Sequence, residues 1–285
     1  ANTMLTNLII QGDHVPTQTL KQIAKLCAVD AIEAINQQAF RLVNADSSNQ
    51  AAIAELCSEA KLDYGFIPFH RHLNDFKLVV MDMDSTLITI ECIDEIADMI
   101  GIKPEVAAIT ESAMRGEIVF AESLTRRVAL LAGLEASALE RVYDERLRLT
   151  PGAEAMLSTL QQRGIKTLLV SGGFTFFTER LQSRLNLDYS ASNTLEIIDG
   201  KLTGKVLGNI LDAQGKADWL NKVREELGLA QKQIIAIGDG ANDLLMMGQA
   251  GVSIAYHAKP VVRQQASYAL NYNDLSGVLP LLGKL

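Results

Sequence analysis

The sequence predicts an α/β protein: a doubly wound parallel sheet with an inserted helical cap, preceded by a small α+β module. Three observations lead there. The runs "FKLVVMD", "IKTLLVSGG" and "QIIAIGDG" are apolar, end in polar residues and precede helical patterns, as parallel strands covered on both faces do. Between the first two runs, residues 91 to 149 are helical rather than strand-like, with Pro104 early in one helix and Gly101, Gly116 and Gly133 as breaks. Ahead of all of them, residues 5 to 68 give strand and helix signals in the order β-α-β-β-α-β.

In that leading module, Leu8 to Ile10 form an apolar stretch that passes through Pro16 into a helix with Leu20, Ile23, Ala24 and Cys27 on one face. "AIEAIN" and "AFRLV" read as strands, Asn49 to Ala60 as a second helix, and Phe66 and Ile67 as a closing strand. The module with its linker spans 1–72 and is ferredoxin-like, in the manner of ACT domains; the larger domain spans 73–285, with its cap at about 91–149. His70 and His72, in the linker "PFHRHLND", lack a nearby third ligand and read as polar linker residues rather than a metal site. Further on, "TLEIIDGKLTGKV" sets an Asp-Gly turn between two strand-like runs, which predicts a hairpin.

With 285 residues, 48% hydrophobic and 21% charged, the chain can build a large core. No apolar run is long enough to span a membrane, and the basic-then-apolar pattern of a secretion signal is missing, so a cytoplasmic location is expected. Cys27, Cys57 and Cys92 are far apart and odd in number, which argues for reduced, buried thiols. A formal net charge of -8 disfavours nucleic acid and anionic membrane as partners and leaves a small molecule. The chain opens "ANTM", where Met4 reads as a native start; the residues before it do not enter the fold argument.

The chemistry gathers at the ends of the apolar runs, where ligands bind in a doubly wound sheet. Asp82 and Asp84 are one residue apart and would share a face if strand geometry ran through both. Two carboxylates so close repel unless a cation intervenes, so the pair points to a metal site, an acid/base pair, or both. "SGGF" at 171 to 174 leads into a helix, where Ser171 and the bare amides of Gly172 and Gly173 offer an anion site or an ordinary strand-to-helix turn. Lys216 heads a helical stripe with Leu220, Val223 and Leu227, either snorkelling from the core edge or turned inward onto a phosphate and the aspartate pair. Asp239 and Asp243 lie within "GDGAND" at 238 to 243, the second equally able to cap its helix; carboxylate donors without histidine or thiolate favour magnesium. In the cap, Phe120, Leu124 and Arg127 share one stripe, so an arginine fork faces the apolar side, with Glu91 as an opposite charge.

Taken together, "DMDST", "SGGF", the isolated Lys216 and "GDGAND", in this order and spacing, resemble the phosphoserine phosphatases of the haloacid dehalogenase-like superfamily. The cap segments "ECIDEIA" and "AMRGEIVFAESLTRRVALL" are similar to those of that family in particular. The resemblance runs from about Leu78 past the "GDGAND" helix and implies a Rossmann-like core that hydrolyses O-phospho-L-serine to serine and phosphate, the last step of serine biosynthesis. It makes Asp82 the nucleophile, Asp84 the acid and then base, and Asp82, the carbonyl of Asp84 and Asp239 the ligands of Mg2+, with Asp243 behind them. Ser171, Gly172, Lys216 and Asn242 would hold the phosphoryl group. Glu91 would meet the substrate ammonium and Arg127 its carboxylate, with Met114 and Phe120 closing over both. Two alternatives stand beside this: an enzyme that passes the phosphoryl group to an acceptor other than water or hydrolyses a different small phosphate, and a non-catalytic amino-acid sensor built on the N-terminal module. That module would also suit a homodimer.

Overall fold

The structure, a computed structural model, describes residues 5–285; Met4 lies outside them. The chain begins with β1 (Thr6–Gln11), α1 (Thr17–Leu26), β2 (Ala31–Asn36), β3 (Ala39–Val43), α2 (Gln50–Ala60) and β4 (Asp63–Pro68). The four strands form an antiparallel sheet in the order β2-β3-β1-β4. Leu8 and Ile10 of β1 pack with Leu20, Ile23, Ile53 and Cys57 of the two helices. Ile9 and Ile67, on the opposite face, join the core of the larger domain instead. The small domain is thus a layer of the molecule. Buried Asp63 fastens it by accepting from the backbone amides of Asn271, Tyr272 and Asn273 at 2.7 to 3.1 Å. His72 does local work, accepting from the amide of Asn74 at the head of a short turn.

β5 (Leu78–Met81) follows and occupies the middle of the larger sheet. Its residues divide between two cores, Val79 and Met81 in one and Leu78 and Val80 in the other. That is why an uninterrupted apolar run forms a strand here. The cap then leaves the sheet as α3 (Cys92–Met99), α4 (Lys103–Met114), α5 (Phe120–Ala129) and α6 (Ser137–Arg141), the last passing into a wide turn over Val142–Arg146. Pro104 sits in the first turn of α4, where its missing amide costs nothing.

The chain returns through α7 (Ala153–Gln162), β6 (Lys166–Phe174), α8 (Thr175–Leu185), β7 (Tyr189–Ile198) and β8 (Lys201–Leu207). Asp199 and Gly200, with φ of 53° and 76°, make the hairpin turn between β7 and β8, a geometry that glycine adopts without strain. α9 (Ala213–Glu226), β9 (Ile234–Gly238), α10 (Leu244–Met247), β10 (Val252–Tyr256), α11 (Pro260–Gln265), β11 (Tyr268–Leu270) and α12 (Val278–Leu281) complete the fold. The sheet order is β11-β10-β9-β5-β6-β7-β8, parallel except where β8 turns back on β7. From β5 the chain proceeds to β6 on one side and later to β9 on the other. The crevice past the carboxyl ends of these strands is the place for a ligand.

Candidate active site

One cavity of about 110 Å³ lies there, bounded below by Asp82, Asp84, Ser171, Gly172, Lys216, Asp239 and Asn242 and above by Glu91, Phe120 and Arg127 of the cap region. The sheet order brings together groups more than 150 residues apart in sequence. Strand alternation is not what joins Asp82 to Asp84: β5 ends at Met81, and the amides of Thr86, Leu87 and Ile88 all donate to the Met83 carbonyl as the chain turns. Ser85, at φ 59°, completes that turn, which is where the expected extended geometry gives way.

Lys216 supplies the cation that two adjacent acids require. It is 1% exposed, and its Nζ donates to Asp82 Oδ1 at 3.1 Å and to Asp243 Oδ1 at 2.8 Å. The Asp212 side chain caps the start of α9 by accepting from the amide of Gly215, which fixes the turn carrying Lys216. Of the two readings open for this lysine, the inward one holds. Burial alone would lower its pKa, but Asp243 and Asp82 outweigh burial and raise it, so the group is a permanent cation. Asp82 is raised by burial, then by Asp243, with Lys216 opposing. For Asp84, burial raises the carboxyl to about 6 against hydrogen bonds from Cys92.

Carboxylate oxygens of Asp82, Asp239 and Asp243 lie within 4.8 Å of one another, all hard donors of the kind that suits a divalent cation such as magnesium. Asp243 is already engaged elsewhere, because its Oδ2 accepts from the amides of Asp239 and Gly240 while Oδ1 takes the lysine proton. It therefore shapes the loop and holds Lys216 rather than simply capping α10. Asp239 is steadied by Thr86, whose hydroxyl donates to Asp239 Oδ1 at 2.9 Å. Thr86 was within the quoted "DMDST" stretch, but its task shows only once the two loops face each other.

At β6, Ser171 to Gly173 close the strand ahead of the helix, as expected. They form a bulge between Val170↔Ala191 and Phe174↔Asn193, with α8 starting at Thr175. Gly172 and Gly173 are needed for lack of space: a Cβ on Gly172 would lie 2.9 Å from the Phe120 ring, and one on Gly173 would lie 3.1 Å from both Met83 and the Ser171 hydroxyl.

The cap contributes charge with few partners. Arg127 is 9% exposed; its Nε donates to the Ser123 carbonyl of its own helix, its guanidinium lies 5.9 Å from the Phe120 ring centre, and among the described residues it forms no salt bridge. Burial lowers its pKa, with Asp94 and Glu91 opposing. Glu91 accepts from the Ser85 hydroxyl at 2.7 Å; protein packed round its carboxyl, and then Asp84, push it up to about 8, though water reaches the residue from the cavity mouth and moderates that shift. Met114 departs from expectation. It ends α4, is 62% exposed, lies outside the cavity lining and places its sulfur 3.9 Å from Lys259 Nζ. A helix end that breaks at Gly116 carries it toward solvent rather than over the floor.

The family model for haloacid dehalogenase-like hydrolases matches residues 76–251. The chain belongs to that family. A second model, described as a domain of unknown function, matches residues 8–53. A phosphoserine phosphatase of Polaromonas sp. is 54% identical over 215 residues, covering 74% of this chain and 91% of the relative. Among solved structures, an unliganded probable phosphoserine phosphatase from Vibrio cholerae aligns with a TM-score of 0.84 and 36% identity, over 98% of this chain and 86% of that one. A phosphoserine phosphatase captured as a phospho-aspartyl intermediate analogue aligns at 0.68 and 40% identity, over 72% of this chain and 98% of its own. The resemblance drawn from four short motifs therefore holds across the whole hydrolase domain, and the Vibrio cholerae match carries it through the N-terminal domain as well.

Proposed function

We propose that this protein is a magnesium-dependent phosphoserine phosphatase that releases free L-serine and phosphate through an aspartyl-phosphate, the closing reaction of serine biosynthesis. The observation that carries the specificity is Arg127: a buried guanidinium with no salt bridge among the described residues, facing a small cavity whose opposite wall is the Asp82 floor. Such a charge is costly unless an anionic ligand reaches it, and a carboxylate fits its fork in two hydrogen bonds. Glu91 across the cavity suits an ammonium. A phosphate gripped by the floor, an ammonium and a carboxylate together describe O-phosphoserine.

In this reading Asp82 attacks phosphorus in line with the departing serine oxygen and forms the aspartyl-phosphate. Asp84, with its carboxyl raised to about 6, is protonated often enough near neutrality to give that oxygen a proton, and then takes one from the attacking water. Ser171, the Gly172 amide, Lys216 and Asn242 hold the phosphoryl oxygens. Asp82, Asp239 and the Asp84 carbonyl would hold Mg2+, with Asp243 keeping its place behind them. When bound, that cation offsets the charge between the nucleophile and the phosphate. The relative trapped as a phospho-aspartyl analogue supports the covalent step. Phe120, resting on Gly172, would shut the cavity against water.

The test is a panel of phosphate monoesters with and without magnesium, together with acid quench of the working enzyme. Phosphoserine turnover and label on Asp82 are expected. Turnover of sugar phosphates with none of phosphoserine would overturn the assignment of Glu91 and Arg127, and new phosphate esters formed from added alcohols in place of inorganic phosphate would favour transfer over hydrolysis. The reading places the enzyme in the cytoplasm, where its thiols stay reduced; all three cysteines are buried and free, and among the described residues no helix is long and apolar enough to cross a membrane. We extend the proposal to a homodimer formed through the N-terminal domain, whose edge strand β2 is exposed along most of its length. Sedimentation of the intact chain tests that extension.

A further inference from the structure

Strand β7 alternates buried and half-buried residues, and Asn193 occupies a buried position between Ala191 and Leu195 where an apolar side chain would be ordinary. It is 2% exposed and uses both ends of its amide. Its Nδ2 donates to the Gly172 carbonyl at 2.9 Å, and its Oδ1 accepts from the Leu211 amide at 2.7 Å. Only one orientation of the amide satisfies both partners. Leu211 directly precedes the Asp212 cap of α9, so this one side chain ties the Ser171 bulge to the segment that delivers Lys216.

The bond to Gly172 has a consequence across the next peptide. A trans peptide is planar, so fixing the Gly172 carbonyl also fixes the direction of the Gly173 N–H on the opposite side. That N–H donates to Ser171 Oγ at 2.8 Å. A serine hydroxyl has one proton and two lone pairs. With a lone pair occupied by Gly173, its proton is left to donate elsewhere, and the cavity is what Ser171 lines. Two consecutive glycines give this bulge little resistance to peptide rotation, and rotation would turn a carbonyl oxygen toward the site of the anion.

We propose that Asn193 is a positioning residue for the phosphoryl group: it locks the Gly172–Gly173 peptide so that Ser171 accepts from Gly173 and donates its own proton to a phosphoryl oxygen. This rests on the reading of Ser171 as a phosphoryl donor. The chain of hydrogen bonds, Asn193 to Gly172, Gly173 to Ser171, Ser171 to ligand, polarises in one direction, which strengthens the last donor.

A double-mutant cycle on the full chain tests it, read as the inhibition constant of inorganic phosphate with saturating magnesium. Asn193→Leu is expected to weaken phosphate about tenfold in the native background, the worth of roughly one hydrogen bond, and less than about twofold in a Ser171→Ala background. Equal factors in both backgrounds would show that Asn193 acts on something other than Ser171 and would overturn the proposal. An unchanged constant in Ser171→Ala alone would instead remove the reading of Ser171, and this inference with it. Should Asn193→Leu fail to fold, Asn193→Asp keeps the shape and the acceptor for Leu211. At about pH 8 that carboxyl is ionised and can no longer donate to Gly172, so its phosphate constant is expected to be about tenfold weaker than the parent's in the native background and less than about twofold weaker in the Ser171→Ala background. Equal factors in both backgrounds again overturn the proposal.

Discussion

The floor and the roof of the cavity are finished to different degrees. On the floor Lys216 bonds two aspartates, Asp243 accepts from Lys216 and two amides, and Asp239 is held by Thr86. On the roof, among the described residues, the Arg127 side chain has one hydrogen bond, to its own helix, and that of Glu91 has one, from Ser85, while Met114, outside the cavity lining, is largely exposed. The difference separates two tasks. In the proposed reading the floor, built before a ligand arrives, serves the phosphoryl group common to every phosphate ester, whereas the roof holds unspent charge that only a particular leaving group can use. Damage to the floor should therefore be felt by all substrates alike, and damage to the roof by one.

The largest effect is expected from Asp82→Asn. The amide keeps the shape but cannot attack phosphorus, so turnover of every phosphate ester should fall by about 10⁴-fold or more, the scale seen when a nucleophile or its direct partner is removed. Retained turnover of simple esters would place the covalent chemistry elsewhere and dissolve the contrast. The fold of this variant is not in doubt on charge grounds, because Lys216 keeps Asp243 as its partner.

Arg127→Ala attacks the roof. Two charge-assisted hydrogen bonds to a carboxylate are lost, so KM for phosphoserine should rise by about 10- to 100-fold. For phosphoethanolamine, which lacks the carboxylate, the change should stay within about threefold. Equal losses on both would mean that Arg127 supports the cap rather than reads the substrate.

Much of this division was legible in the sequence, and for a physical reason. The floor residues stand at the ends of apolar runs, and a doubly wound sheet brings strand ends together whatever their separation along the chain. Asp82, Ser171 and Asp239 could be found that way, and Lys216 from its place at the head of a helical stripe. The roof is less readable, since a cap helix is placed by contacts distant from the residues it presents. Arg127 was recoverable from its apolar stripe, whereas the position of Met114 depends on where α4 breaks. Asn193 left a signal that could have been used, a lone amide at a buried step of an alternating strand. Thr86 and the Ser171 bulge left less, because their partners lie across loops whose approach no local pattern encodes.

A third, smaller effect tests the roof through pH. Burial of its carboxyl and then Asp84 push Glu91 up, toward about 8 before water at the residue moderates the shift, so on the acid side of its titration the free enzyme holds it neutral and lacks the charge an ammonium needs. The carboxylate forms as pH rises. The preference for phosphoserine over the phosphate ester of 3-hydroxypropanoate, which has no ammonium, should therefore grow severalfold between about pH 6 and about pH 8. Glu91→Gln should flatten that ratio without removing turnover of the simpler ester. A ratio that stays level with pH in the native enzyme would take the ammonium away from Glu91.

Met114→Ala carries the smallest expected change and sharpens the boundary of the roof. The side chain is 62% exposed and touches Lys259 rather than the cavity, so truncation removes little buried area, and kcat/KM for phosphoserine should move by less than about threefold. The family resemblance instead has this methionine closing over the substrate. Were that closure to occur, shortening it would raise KM nearly as far as Arg127→Ala does, and the effect would vanish for inorganic phosphate, which is too small to reach α4. Measuring both ligands on the one variant thus decides whether α4 belongs to the roof or only borders it.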